Sequence, residues 1–335
     1  MKFKNYLIGI DISKLTLDVA LLNQSTPKVV NYLKVSNNLK GLKEMVKWIT
    51  KQNIDPLDCL FCCENTGVYT VPFSLFMSDN KMFYWVVSAI EIKRSKGLVR
   101  GKSDKADAKD IAIYALTNFH KYKQIDLPEK DIQKLKLLFT ERAKTIKALS
   151  LFKTTSENQG FIPNDILIVV QKTNRKVIAE LEKCLQAIES QLQTIIDENN
   201  DLKTKVDLLK SIPGIGNQTA LYLLITTKGF TAFDNWRQMA CYAGVAPFEY
   251  TSGTSIRGKT KVNHLADKTM KSMLQMCVLS AIKYDNQIKL YFEKKKTEGK
   301  NPMLVMNNIR CKLLARAFAV INRGTPFVKI SNYAA

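Results

Sequence analysis

The chain has 335 residues, 46% of them apolar, which is enough to build real cores and too long for one small domain. Its 51 Lys and Arg against 30 Asp and Glu leave a net charge of +21 with histidine neutral. That surplus points to a polyanionic partner, nucleic acid ahead of anionic membrane, because no apolar run reaches the roughly 18 residues needed to span a bilayer.

Met1-Lys-Phe-Lys-Asn leads into a short apolar run that stops at Asp11, which is not a signal-peptide pattern, so a cytosolic protein is expected. The seven cysteines (59, 62, 63, 184, 241, 277 and 311) form no paired C-x-x-C set, and His120 and His264 are the only histidines. A zinc site is not expected, and the odd cysteine count reads as buried thiols.

In chain order, Tyr6–Ile10 reads as an apolar strand ending at Asp11. Leu17–Asn23 and Val29–Val35 follow turn residues, predicting a three-stranded meander. Asn38 is placed to cap a helix running to Ile49, with Leu39, Leu42, Met45, Val46 and Ile49 on one stripe. Cys59–Cys63 reads as a strand ending at Glu64, Thr66–Met77 as a helix, Met82–Val87 as a strand and Asp104–Phe119 as an amphipathic helix. This β-β-β-α-β-α-β-α order over residues 1–124 predicts an α/β, ribonuclease-H-like domain, a mixed sheet with helices on both faces.

Residues 125–206 change pattern. Apolar residues recur at three- and four-residue steps from Leu135 to Leu149 and from Val177 to Ile195, with a break at Asn158-Gln-Gly-Phe-Ile-Pro163. Two long helices are expected, a coiled-coil arm folded on itself or paired with another subunit. Residues 207–335 are expected to be mostly helical. They open on Leu208-Leu-Lys-Ser-Ile-Pro-Gly-Ile-Gly216, which reads as a helix-hairpin-helix whose Gly214 and Gly216 let backbone amides approach a phosphate. Further helices are expected at His264–Lys283, Asn286–Lys296 and Pro302–Asn322. Residues 251–324 hold 15 Lys or Arg against 4 Asp or Glu.

Four acids stand at the ends of these elements. Asp11 ends the first strand, Glu64 ends the fourth, and Asp104 and Asp107 lie three apart on one helix face. In the expected fold the ends of strands one and four are adjacent and the last helix crosses beside them. Converging carboxylates repel unless cations sit between them, and oxygen ligands of this kind suit hard divalent metals that assist phosphodiester cleavage. Asp110 reads as a solvated spare. Lys93, Arg94, Lys96, Arg100, Lys102, Lys105 and Lys109 surround the pair, as they would in a phosphate-backbone groove.

With these motifs in place the chain resembles the DEDD transposases of bacterial insertion sequences, relatives of the DNA invertases that flip pilin genes. The resemblance runs nearly end to end. Its carriers are Gly-Ile-Asp-Ile-Ser-Lys at 9–14, Glu-Asn-Thr-Gly-Val-Tyr at 64–69, Lys-Ser-Asp-Lys-Ala-Asp-Ala at 102–108, Ile-Pro-Gly-Ile-Gly at 212–216, Tyr-Ala-Gly-Val-Ala-Pro at 242–247 and Thr-Ser-Gly at 251–253. It implies a Holliday-junction-resolvase-like first domain in which Asp11, Glu64, Asp104 and Asp107 bind Mg²⁺. It also implies a covalent phosphoserine link to DNA at Ser252, a structured bridge RNA pairing with donor and target DNA, and a bacterial, nucleoid-associated homo-oligomer. Many relatives continue with Ile-Ser-Lys-x-Gly-Asn, where this chain has Val262-Asn-His-Leu-Ala-Asp267.

The resemblance and the local chemistry together favour Ser252 over Ser255: Gly253 follows it, and Arg257, Lys259 and Lys261 in the same basic loop suit a phosphate. Other readings stay open: a metal-dependent nuclease or junction resolvase using water, a non-catalytic nucleic-acid-binding protein, and a sugar-kinase or actin-like ATPase. The last lacks an Asp-x-Gly-x-Thr or Walker sequence. If the charge serves nucleic acid, duplex affinity measured over a salt series falls linearly in log–log form. With six or more phosphates neutralised, the loss is at least about 10³-fold between 50 and 200 mM salt. A flat response assigns the charge to something else.

Overall fold

The computed structural model describes residues 5–25, 29–95, 103–122, 127–154, 163–252, 256–262 and 266–328, without side chains at 29, 30, 154, 164 and 248–262. The chain divides into two compact units, Met1–Leu127 and Pro128–Ala335.

In the first unit, β1 (Tyr6–Ile12), β2 (Thr16–Asn23) and β3 (Val29–Ser36) form the expected antiparallel meander. β4 (Cys59–Glu64) and β5 (Phe83–Val87) extend the sheet in parallel from β1, giving the order β3-β2-β1-β4-β5. Strands covered on both faces read as near-continuous apolar runs, as β1 and β4 do. On one face α1 (Leu39–Thr50) and α2 (Val71–Asp79) cover Ile8, Ile10, Val19, Leu21 and Phe61. On the other, α3 (Ala89–Ser95) and α4 (Asp104–Thr117) cover Leu7, Leu22, Leu60, Cys62 and Trp85.

Asn38 caps α1 as expected, its side chain accepting from the Gly41 amide at 3.0 Å. The single helix expected over Thr66–Met77 is instead a 3-10 turn at Gly67–Thr70 followed by α2. Pro72, without an N–H, starts a helix more readily than it continues one. The short α3 was not foreseen, since seven residues carry too little periodicity to read.

Gly9 decides where α4 sits. A Cβ there would lie 2.2 Å from the Ala108 carbonyl oxygen and 2.4 Å from the Ala112 amide nitrogen. The strand and the helix therefore touch backbone to backbone, and the first turn of α4 is carried to the end of β1.

In the second unit, α5 (Lys130–Thr154) and α6 (Asn164–Glu198) fold back on each other within one chain, tied by Arg142–Glu189 at 2.8 Å and Lys153–Glu182 at 2.7 Å. Their ends share one core with the remaining helices, from Ile132 and Leu135 through Leu192 and Ile196 to Val320. α7 (Asn200–Lys210) and α8 (Asn217–Thr226) flank the Pro-Gly turn, and α9 (Trp236–Tyr242) follows. The expected serine loop is a hairpin, β6 (Pro247–Ser252) and β7 (Ile256–Val262), in which Ser252 pairs with Ile256. The two-residue alternation of Ile256-Arg-Gly-Lys-Thr-Lys-Val262 is the strand signal that the loop reading passed over. α10 (Lys268–Tyr284) begins four residues later than expected because Asp267 caps it, accepting from the Met270 amide at 2.9 Å. α11 (Asn286–Thr297) and α12 (Pro302–Arg323) close the unit.

Among the described residues no helix is long and apolar enough to cross a membrane. Cys59, Cys62, Cys63 and Cys277 are buried as expected, but Cys184 is exposed on α6. Gly9→Ala should push α4 off the sheet at a cost of about 1–3 kcal/mol, read from the midpoint of urea unfolding. An unchanged midpoint would mean that α4 has room to shift.

Candidate functional site

Strand register and alternation assemble a row of charges. Asp11 on β1 pairs with Asp18 on β2, and Asp18 pairs with Lys34 on β3. On the other side Ile10 pairs with Cys63, so Asp11 and Glu64 are the next residues along adjacent parallel strands. Lys34, Asp18, Asp11 and Glu64 thus cross four strands in one line. Gly9, two residues before Asp11, meets α4, which places the row on the α4 face.

The first turn of α4 adds Asp104 and Asp107. Ser103 caps the helix, accepting from the Ala106 amide at 3.2 Å, and unpaired first-turn amides favour carboxylates at that end. The expected acids therefore come together from three elements whose sequence positions span most of the unit.

The electrostatics follow from this crowding. The Asp11 carboxyl is pushed up from the usual 3.8 to about 6, first by burial and then by the charges on Asp107, Asp104, Glu64 and Asp18. Asp18 is only 1% exposed. It accepts the Tyr32 hydroxyl, and the Lys34 ammonium stands 3.2 Å away. The same ammonium lies 3.3 Å from Asp104, whose side chain is 64% exposed. Burial and the bond to Asp18 raise the Tyr32 hydroxyl to about 12, and the two carboxylates raise Lys34.

Asp18, Tyr32 and Lys34 were not among the expected site residues. The available signal was Asp18 itself, a lone charge inside Thr16-Leu-Asp-Val-Ala-Leu-Leu-Asn23 that a two-faced strand must bury and therefore pair. Asp110, expected in solvent, is half-buried.

The donor set is all oxygen and its field is under-compensated, as the raised Asp11 carboxyl reports, so these residues fit a hard divalent cation. Among the described residues no three His, Cys, Asp or Glu side chains already stand in a coordinating group. Asp104 is engaged by Lys34 instead.

Beside the row is an open cleft of about 580 Å³, lined by Asn31, Tyr32, Ser103, Lys105 and Lys109, with the Lys105 ammonium 5.2 Å from the centre of the Tyr32 ring. Lys96, Arg100, Lys102, Ser255 and His264 lie outside the described residues. Ser252 ends β6, and Arg257, Lys259 and Lys261 take alternate positions in β7, their side chains also outside the described set. Gly214 (φ 97°) lies against α10, where a Cβ would meet the Cys277 carbonyl oxygen at 2.6 Å, whereas Gly216 opens α8 with free space above it.

A carboxyl whose folded pKa is raised binds its proton more tightly in the native state. Stability therefore falls as pH rises from about 4 through about 6, and the deficit persists above that window. In chelator at pH 7–8, Asp11→Asn should stabilise the protein by about 1–2 kcal/mol after allowance for solvent screening, and the gain should vanish below about pH 4. Thermal unfolding at the two pH values checks this, and a destabilised variant at pH 8 contradicts it.

Residues 8–158 match the DEDD transposase family of IS110 elements, and residues 206–293 match the family described as Transposase IS116/IS110/IS902. The pilin gene-inverting protein of Moraxella lacunata is 26% identical over 327 residues, covering 96% of this chain and 97% of that protein. An insertion element IS110 protein of 43.6 kDa from Streptomyces coelicolor is 27% identical over 152 residues, covering 44% of this chain and 37% of its own length. Both family matches are to IS110-type transposases, and the chain, similar to such proteins over most of its length, is an enzyme that cuts and rejoins DNA.

Proposed function

We propose that the protein is a site-specific recombinase that cuts DNA at a metal site formed by Asp11, Glu64, Asp104 and Asp107 and rejoins it through a covalent link to Ser252. The observation that carries the first half is the crowding of these acids beneath α4, felt at Asp11 as a carboxyl raised to about 6. The strand order, with acids at the ends of β1 and β4, supports a ribonuclease-H-like reading of the first unit.

When bound, Mg²⁺ would supply positive charge against the phosphate oxygens. The four carboxylates would hold it, and Lys105 and Lys109 along the cleft would neutralise flanking phosphates. The Ser252 oxygen would attack phosphorus, forming an Oγ–P bond and breaking the bond to a deoxyribose oxygen. That oxygen leaves as a hydroxyl, taking up a proton to balance the one serine gives up. Rejoining is the reverse, with a DNA hydroxyl displacing the serine.

The turn between α7 and α8 supports a helix-hairpin-helix reading in which Gly216, more than Gly214, leaves amides open to a phosphate. A structured guide RNA fits the +21 charge as a second polyanion, and DNA donor and target are the first. A homo-oligomer is supported by Ile166, Ile168 and Val169, which α6 leaves exposed.

A second reading, hydrolysis by water, is favoured by the fact that all four acids belong to the one unit Met1–Leu127. Asp→Asn changes at 11, 104 and 107 and Glu64→Gln should each lower strand cleavage by about 10²-fold or more while the chain stays folded. Ser252→Ala should bind DNA yet form no adduct, and Ser255→Ala should retain it, as mass spectrometry of the DNA-linked peptide will show. Cleavage by Ser252→Ala at the original rate selects the water reading.

A further inference from the structure

We propose that Lys34 is a resident competitor for the divalent cation: its ammonium holds Asp104 in the cation-free site and must release that carboxylate when an ion binds. This rests on the reading that Asp11, Glu64, Asp104 and Asp107 hold the ion.

The two ion pairs of Lys34 are unequal. Asp18 sits inside β2 at 1% exposure, opposite Lys34 in register, and its other anchor is the Tyr32 hydroxyl. A buried carboxylate left without its cation is strongly unfavourable, so the Lys34–Asp18 contact at 3.2 Å is the one that persists. Asp104 is 64% exposed at the first turn of α4, and an exposed ion pair contributes little. Lys34 and a divalent ion ask for the same carboxylate, and only the lysine has a second, firmer partner to fall back on. With the ion bound, the ammonium stays within reach of it, and their repulsion weakens binding. Lys34 thereby sets the cation level at which the site fills, while keeping Asp18 paired throughout.

The measurement is calorimetric titration of the full-length chain with Mn²⁺ alone, at pH 8 and low ionic strength, without nucleic acid. Lys34→Gln removes the charge but keeps a donor for Asp18, and Lys34→Met serves as a second neutral variant. Both should bind Mn²⁺ about ten-fold more tightly than the unsubstituted chain. Lys34→Arg should stay within about two-fold of it. Lys109→Met removes a cleft lysine of equal charge and should also change affinity by less than about two-fold. Unchanged or weaker binding in the two neutral variants overturns the inference, as does an equal tightening in Lys109→Met, which would reduce the effect to net charge. If the unsubstituted chain and Asp11→Asn bind Mn²⁺ alike, or no variant binds, the carboxylate reading fails with it. Loss in Asp11→Asn with no gain in Lys34→Gln overturns the inference about Lys34 alone.

Discussion

The close approach of α4 to β1 over Gly9 is the contact on which the acidic site depends. Two acids come from a helix and the others from strands, and these elements meet only because no side chain separates Gly9 from Ala108 and Ala112. Like charges drawn together push apart, so something else must hold them. That something is the apolar layer immediately behind, where Ile111, Ala112, Tyr114 and Ala115 of α4 pack on Leu7, Leu22, Cys62 and Trp85. The strain is confined to one end of the helix and is opposed by hydrophobic burial along the rest of it.

The treatment of acids differs between the two units. In the second, Asp285 is buried with its own cation, Arg316 at 2.6 Å, and also caps α11. Asp267 caps α10 and accepts the Tyr222 hydroxyl at 2.8 Å. These acids are satisfied and structural. In the first unit Asp11, Asp18, Glu64, Asp104 and Asp107 act on one another, and Lys34 is the lysine drawn in among them. Asp11 is the acid whose charge this crowding disfavours, and a carboxyl perturbed in that way marks a candidate functional site.

Much of the first unit was legible in the sequence because its strands are short apolar runs, two of which close on acids, and Asn38 marks a helix start. The four acids could be found because each ends or begins an element. Asp18, Tyr32 and Lys34 could not be joined to them without the register: only the pairing of β1 with β2 and of β2 with β3 turns residues 11, 18 and 34 into neighbours. Gly214 shows the opposite limit. Its Pro-Gly-x-Gly setting suggested a phosphate contact, while its close neighbour is the α10 backbone, a packing relation between segments far apart in sequence. The β6–β7 hairpin was passed over because Ser, Gly and Lys read as loop before they read as strand.

The seating of α4 on the first strand also bears on synthesis. Asp11 leaves the ribosome well before Asp104 and Asp107, which come late in their unit. The parallel pairing of β1 with β4 likewise waits for residues made much later, a non-local closure of the kind that slows folding. A nascent chain short of α4 therefore holds Asp11, Asp18 and Glu64 without their closing helix, and the acidic cluster is complete only once α4 has emerged. The order of synthesis thus leaves the crowding of like charges to the last step of the unit's assembly, after most of the apolar layer that opposes it has been made.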